Sequence, residues 1–531
     1  MKTWRGLVMN KRSKKSLYIL ITAVVLLLHC VYVYFSYFQV PLNSDHANQV
    51  LEAADILKGN VLLHGWNLTG VSFYLSEIPF YVLGTAVRGV DTFAYIIAAS
   101  LMVILLSLSG YLLSVTSNKQ DNFHPVFLYL ALTGFPTLTL LGFLRGHCAI
   151  FIYFFLMLLC MDRIMSNKRP GVVIWLFLGL LTVCGCLSDM QLVIIGVVPI
   201  LLFCAVNLLR NVSGFDRKKT AVLAGILVCG TGLGMVADSL LMRFGGVNKN
   251  SFLNTRSFVD MDALQKKFLL LGKGIFEVFR CDFPETAWSI RNIVALVFVS
   301  LVLLSTFFFL VRTLRTFISD GYGDPVSIVL SFSLVLMTLV CFFTDIYTDK
   351  TSPRYISYMP FAAGVLICRS MREYARKTVT RLGLVSFLCA VLIFGHPLRS
   401  ERIETKQDRL AVFLEENGLT EGYSDFWNAS HTTVASNERV KVRAIHGQVP
   451  ELGKPDYLVM QNWFCKTEWY RQGAPNFIAF DGSGYLHVSE DIVLILLGEP
   501  SRILDNGEYR VYVYENGLSD EIVIPKGQVA E

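Results

Sequence analysis

Eleven apolar stretches recur along the chain, at about residues 17–38, 92–114, 124–143, 147–165, 171–187, 190–209, 219–240, 291–311, 325–345, 355–369 and 382–397. A helix crosses a bilayer with about 20 apolar residues. Inside lipid the backbone has no hydrogen-bond partner but itself, so helices are the simplest spanning form such stretches can take. The chain therefore reads as a polytopic α-helical membrane protein with about eleven transmembrane helices. Its composition agrees: 53% of residues are hydrophobic and 17% charged, against about 25% charged in a soluble domain. The net charge of +6 calls for no nucleic-acid partner, because membrane proteins collect Lys and Arg in cytoplasmic loops.

The basic residues also orient the chain. Lys2, Arg5, Lys11, Arg12, Lys14 and Lys15 precede the first span and hold the N-terminus in the cytoplasm. The apolar core that follows, Leu17 to Phe38, is too long for a signal peptide and no small-x-small cleavage site comes before Asp45, so it reads as a retained anchor. Alternate assignment of the remaining loops puts the clusters at Arg163–Arg169, Arg210–Lys219, Arg312–Arg315 and Arg369–Arg381 on the same side as the N-terminus. The odd count leaves two segments outside: a first loop at 39–91 and a second at 241–291. The tail, 399–531, lies outside with them. That divides the chain into a membrane part, 1–398, and a C-terminal extracytoplasmic domain of α/β or α+β type. In the tail, Asp408–Asn417 has helical spacing, and short β-type runs are expected at Val440–Ile445, Tyr457–Met460, Phe477–Phe480, Ile492–Leu497 and Tyr509–Tyr514. Within the second loop, Phe268–Phe279 reads as an amphipathic helix, lying in the interface or packed on the protein.

Topology turns scattered polar residues into a constellation. Asp45 and His46 follow the first span. Arg145 and His147 sit in a tight connection between the third and fourth spans. Ser188 and Asp189 separate the fifth and sixth. Lys350, Arg354 and Tyr355 precede the tenth, and Glu77 lies further along the first loop. All fall on the extracytoplasmic side. Arg and His at headgroup depth can neutralise a lipid phosphate, and a carboxylate beside them can deprotonate an incoming hydroxyl. Ser44 supplies N-cap chemistry that would place Asp45 in the first turn of a helix, with Glu52 and Asp55 near the same face. Most of the twelve cysteines lie in apolar runs. Cys281 and Cys465 fall outside, where a disulfide and two free thiols are both open. No zinc-ligand spacing occurs. Asn67-Leu68-Thr69 and Asn428-Ala429-Ser430 are glycosylation sequons on the outer face.

The stretches Asn43-Ser44-Asp45-His46-Ala47, Gly65-Trp66-Asn67-Leu68-Thr69 with Phe73-Tyr74-Leu75-Ser76-Glu77, Arg145-Gly146-His147, Leu187-Ser188-Asp189 and Ser352-Pro353-Arg354-Tyr355 give the membrane part a resemblance. It resembles the GT-C superfamily of integral membrane glycosyltransferases, closest to bacterial members akin to protein O-mannosyltransferases and the lipid A aminoarabinose transferase. The resemblance implies a polyprenyl-phosphate sugar as donor and an inverting transfer. The acceptor would be an envelope glycan, lipid or protein, with membrane lipid around the site. It puts the catalytic base at Asp45 and the donor-phosphate contacts at Arg145, His147 and Arg354. His46, Glu77, Asp189, Lys350 and Tyr355 would support them. The first loop carries one Asp followed by His rather than a pair of acids, so a divalent metal is conceivable but no metal ligand is assigned. Two other classes fit the same bulk properties: a ligase or polymerase of lipid-linked oligosaccharide, and a non-enzymatic transporter or scaffold with an external domain. Trp427, Trp463 and Trp469 of the tail are candidates for stacking on sugar or for buried core.

Overall fold

A computed structural model describes residues 11–116, 125–210, 215–245, 248–249, 257–281, 289–448, 457–471, 473–518 and 521–524. The membrane part runs α1 (Lys11–Ser36), α2 (Ser44–Leu57), α3 (Ile78–Arg88), α4 (Thr92–Val115), α5 (Val126–Thr133), α6 (Leu138–Leu144), α7 (Cys148–Ser166), α8 (Val172–Ser188), α9 (Val198–Arg210), α10 (Arg217–Gly245), α11 (Leu264–Val278), α12 (Ile290–Asp320), α13 (Pro325–Phe343), α14 (Met359–Ser370) and α15 (Arg376–Phe394). Among the described residues, eight helices are long and apolar enough to cross a membrane: α1, α4, α7, α9 extended back to Val193, α10, α12, α13 and α15. The chain is thus a polytopic helical membrane protein.

All eleven apolar stretches are helical, but three fall short of that length or straightness. The third is broken at Gly134–Thr137 into α5 and α6, which meet at 89° and make a ninth crossing if counted together. Pro136 is the reason: it lacks an N–H, and it steers the residue before it away from helical angles. The fifth, α8, has 17 residues. The tenth, α14, has 12, because Ser352–Ile356 winds as a tight 3-10 turn before it.

The first loop folds as two helices. Asn43 caps α2, its side chain accepting from the His46 N–H at 3.2 Å. In the second loop α11 packs one face on the protein, through Leu271, Gly274 and Val278, and leaves Phe268 and Leu269 exposed. Any side chain at Gly274 would run into Tyr347, so glycine sets how closely α11 approaches the turn before α14.

The tail folds as α16 (Lys406–Glu416), α17 (Phe426–Ala435) and α18 (Glu490–Leu497) around a seven-stranded mixed sheet. Among the described residues the strands are, in chain order, β1 (Trp66–Leu68), β2 (Asn248–Lys249), β3 (Glu421–Ser424), β4 (Lys441–Gln448), β5 (Tyr457–Met460), β6 (Cys465–Lys466), β7 (Phe477–Phe480), β8 (Arg502–Asp505), β9 (Arg510–Val513) and β10 (Ile522–Val523). The large sheet has the order β10-β5-β4-β3-β7-β9-β8, with β4, β3 and β7 parallel. One apolar layer joins α16 and α17 to one face; a second, including Val493 of α18, covers the other. The run Ile492–Leu497, expected as a strand, is helix α18. Its aliphatic residues do not alternate with polar ones, Glu490 and Asp491 occupy the first turn, and Gly498 follows the last.

A second sheet, β2-β1-β6, stitches the first loop, the second loop and the tail together. Cys281 and Cys465 are both buried and no disulfide joins them; the Cys465 thiol bonds the Gln461 carbonyl at 2.6 Å. Both sequon asparagines are buried, Asn67 in this sheet and Asn428 in α17 against Asp425 and Tyr509, and so are closed to glycosylation.

Candidate functional site

The polar residues picked out along the chain gather at one end of the helix bundle, under the tail. Asp45 sits in the first turn of α2, half-buried, and its carboxylate makes no hydrogen bond or ion pair with the described residues. Burial pushes its pKa above the usual carboxylate range, and the positive charges of Arg354 and Arg145 pull against that rise. The carboxylate feels the charge of both arginines and is bonded to neither among the described residues.

Each arginine is positioned by its own backbone. Arg145 ends α6 and donates to the Pro41 carbonyl at 2.8 Å, which clips it to the chain just ahead of α2. Arg354 comes from the 3-10 turn before α14. Its guanidinium lies over the Tyr355 ring, 5.0 Å from the centroid, and donates to the Tyr355 hydroxyl at 3.1 Å. Its Nε is buried with no partner among the described residues, a donor whose burial is costly until something accepts from it.

His147 caps α7 in the left-handed region, at φ 62°, a strained position for a residue with a side chain. The strain aims the imidazole: Nδ1 meets Asp189 Oδ2 at 2.6 Å, and the ring is held between Phe73 and Tyr355, each 5.2 Å away. Asp189 also accepts from the Gln191 N–H at 2.9 Å, and Gln191 donates to the Tyr355 carbonyl at 2.8 Å. Asp189, His147, Tyr355 and Arg354 therefore form one connected group, which reaches Asp45 through the charge of Arg354. With Nδ1 taken by Asp189, Nε2 is the nitrogen His147 has free of the described residues.

Three expected members are placed elsewhere. His46 points away from Asp45 and into the core, against Tyr81 and Tyr95, with Nδ1 within 3.0 Å of the Tyr81 hydroxyl. Burial, then the nearby Arg145, keeps it neutral. Lys350 is exposed and makes no ion pair among the described residues. Glu77 lies beneath the site and caps α7, accepting from the Ala149 N–H at 3.1 Å and from the Ser76 hydroxyl. Farther along α2, Asp55 is bonded to Trp66, Asn60 and Lys466, and Glu52 is buried with Oε1 unpartnered. Among the described residues, no three His, Cys, Asp or Glu side chains come together as metal ligands.

The chain matches no family model and no curated protein sequence. The geometry must carry the functional argument by itself.

Burial raises the Glu77 carboxyl from 4.5 to about 8, with Asp189 adding to the rise. A folded-state pKa above the unfolded one favours folding at low pH. That contribution is present below pH 4.5 and is lost as pH rises to about 8. Glu77→Gln is expected to remove this slope while keeping an acceptor for Ala149. Thermal unfolding of native and variant protein across that window checks it; parallel curves would place the titration elsewhere.

The tail completes the site with residues that no local pattern singles out. Ser430 of α17 donates to Asn48 of α2 at 2.7 Å. Burial raises the Tyr485 phenol, and the charges of Asp425 and Asp45 raise it further. Burial lowers His431 to about 4, and Arg145 contributes to that. These residues come to Asp45 only by long-range docking.

Proposed function

We propose that the chain is a membrane glycosyltransferase that moves a sugar from a polyprenyl-phosphate carrier to an acceptor in the cell envelope. In this reading it crosses the membrane eleven times, with the N-terminus in the cytoplasm and the tail outside. The observation that supports it most is the unbonded Asp45 carboxylate between Arg145 and Arg354.

Asp45 takes the proton of the acceptor hydroxyl as its oxygen attacks the anomeric carbon of the donor. The bond from that carbon to the phosphate oxygen breaks on the opposite face, which inverts the configuration and requires no covalent enzyme intermediate. The charge gathering on the departing lipid phosphate is met by Arg354, Arg145 and the free edge of His147, partly shielded from water, where such contacts are strong. Asp189 orients His147, and Tyr355 braces Arg354.

Transfer of radiolabel from a panel of polyprenyl-phosphate sugars, in membranes carrying the native chain or none, tests the class. Label moved only by the native chain is the expected result; no transfer from any donor removes the reading. Arg354→Gln is expected to raise KM for the donor by about tenfold or more, the loss of a charged hydrogen bond, with a smaller effect on KM for the acceptor. Equal effects on both would separate Arg354 from the donor phosphate.

A further inference from the structure

A second site lies in the tail. Strands β3 and β4 run parallel with Tyr423 beside Arg443, so the two side chains leave the sheet on one face. A 3-10 turn, Thr467–Tyr470, covers that face. Tyr470 stacks on Tyr423 with centroids 6.2 Å apart and planes within 5°, and the Arg443 guanidinium lies 4.1 Å above the Trp469 ring. Tyr423, Arg443 and Trp469 border a cavity of about 240 Å³, together with Glu421, Lys441 and Glu468.

The lysines and the acids around the cavity pair with one another. Lys441 is paired with Glu421 at 3.3 Å, and Glu421 also accepts from the Ala474 N–H at 2.8 Å. Glu468 is paired with Lys466 at 3.1 Å, and Lys466 reaches Asp55 as well. Arg443 has no ion pair and no hydrogen bond with the described residues. Arg443 is therefore the cation whose donors the described residues leave open. Burial lowers its pKa to about 10, which leaves it charged at neutral pH. Stacking uses the flat face of a guanidinium and leaves its edge of N–H donors open, the arrangement that grips carboxylate and phosphate oxygens in pairs.

We propose that this cavity binds the oxyanion, carboxylate or phosphate, of a small group such as an acidic sugar residue, with Arg443 as the anchor. The size fits: the cavity is smaller than the roughly 300–1,000 Å³ of sites for drug-sized ligands, so it takes one ring or a phosphate group. It is separate from the Asp45 site. Trp469 packs edge-on against Trp66 at 5.0 Å, and Trp66 donates to Asp55 at 2.8 Å. Asp55 is ten residues along α2 from Asp45, about 15 Å by helical rise. The binding claim stands independently of the transferase reading. If transfer takes place at Asp45, the cavity is positioned to hold an anionic unit farther along an extended acceptor.

The test is direct binding to the full-length chain in phosphatidylcholine nanodiscs, by isothermal titration calorimetry. The probes are sodium glucuronate, inorganic phosphate and, as an uncharged control, glucose. Saturable binding of at least one anion and none of glucose is expected. Arg443→Gln should weaken it by about tenfold or more with an unchanged unfolding temperature. Arg443→Lys keeps the charge without the paired donors; it should bind at an intermediate strength and serves if the Gln variant does not fold. Glucuronate binding alone identifies an acidic sugar, and phosphate binding alone a phosphate-bearing group. Neither anion binding up to roughly 10 mM, or binding unchanged in both variants, overturns the proposal.

Discussion

Replacing Asp45 by Asn is expected to abolish measurable sugar transfer while leaving the protein folded. Asparagine has the same shape, and Asp45 makes no hydrogen bond with the described residues for the substitution to break. What it removes is the proton acceptor. A positioned general base contributes roughly a hundred- to ten-thousand-fold to a rate, so the fall should be of that size, with the unfolding temperature unchanged. On the proposed reading the native chain should also lose transfer toward acid from a higher pH than an ordinary carboxylate would cause. Burial raises the Asp45 pKa, and only the ionised form can accept the proton. A variant within about twofold of the native rate would leave the site without its base. Loss of activity together with loss of fold would be answered by Asp45→Glu, which keeps the charge.

The largest effect on stability is expected at the other end of α7. Arg369, at the end of α14, is enclosed by acids and carbonyls. Its Nη2 meets Asp162 at 2.9 Å, its Nε meets Asp324 at 2.7 Å, and its Nη1 donates to the Leu113 carbonyl at 2.6 Å and to Thr116 at 3.1 Å. The Arg369 and Asp162 side chains are each 1% exposed. One guanidinium thus ties together α4, α7, α13 and α14. Arg369→Met takes the bonded guanidinium away from both acids, and breaking a buried pair in this way costs about 3–5 kcal/mol. Thermal unfolding in nanodiscs should show a large drop in midpoint. Adding Asp162→Asn and Asp324→Asn to the variant should recover a good part of it. A single variant as stable as the native chain would mean that water reaches the acids.

The membrane part was legible because its signals are local. A bilayer forces long apolar helices, and Asp45, Arg145, His147, Asp189 and Arg354 all stand at helix ends, so topology alone brings them to one face. Chemistry by residue type was less reliable. His46 follows Asp45 by one position, and on a helix that turns its ring about 100° away, into the Tyr81 and Tyr95 core. Glu77 looks like a surface acid in sequence but is fully buried as a helix cap. The count of crossings was blurred by a proline in one span and a tight turn before another. In the tail, a run of six aliphatic residues at 492–497 satisfies helix and strand alike by hydrophobicity. The contributions of Ser430, His431 and Tyr485 could not be read at all, since nothing near them in sequence predicts what they dock against.

The small sheet β2-β1-β6 sets the order in which the molecule can mature. Trp66 pairs with Lys466, and Asn67 bonds Thr467 across 400 residues of chain. Membrane helices can insert one after another as they leave the ribosome, but the first loop cannot reach its final form until nearly the whole chain has been made. The Asp45 end of the bundle therefore stays open during synthesis and closes last. A chain cut short before residue 465 would hold its helices in the membrane and still lack the strand that pairs with its first loop, so the Asp45 end is left unfinished until translation is almost complete.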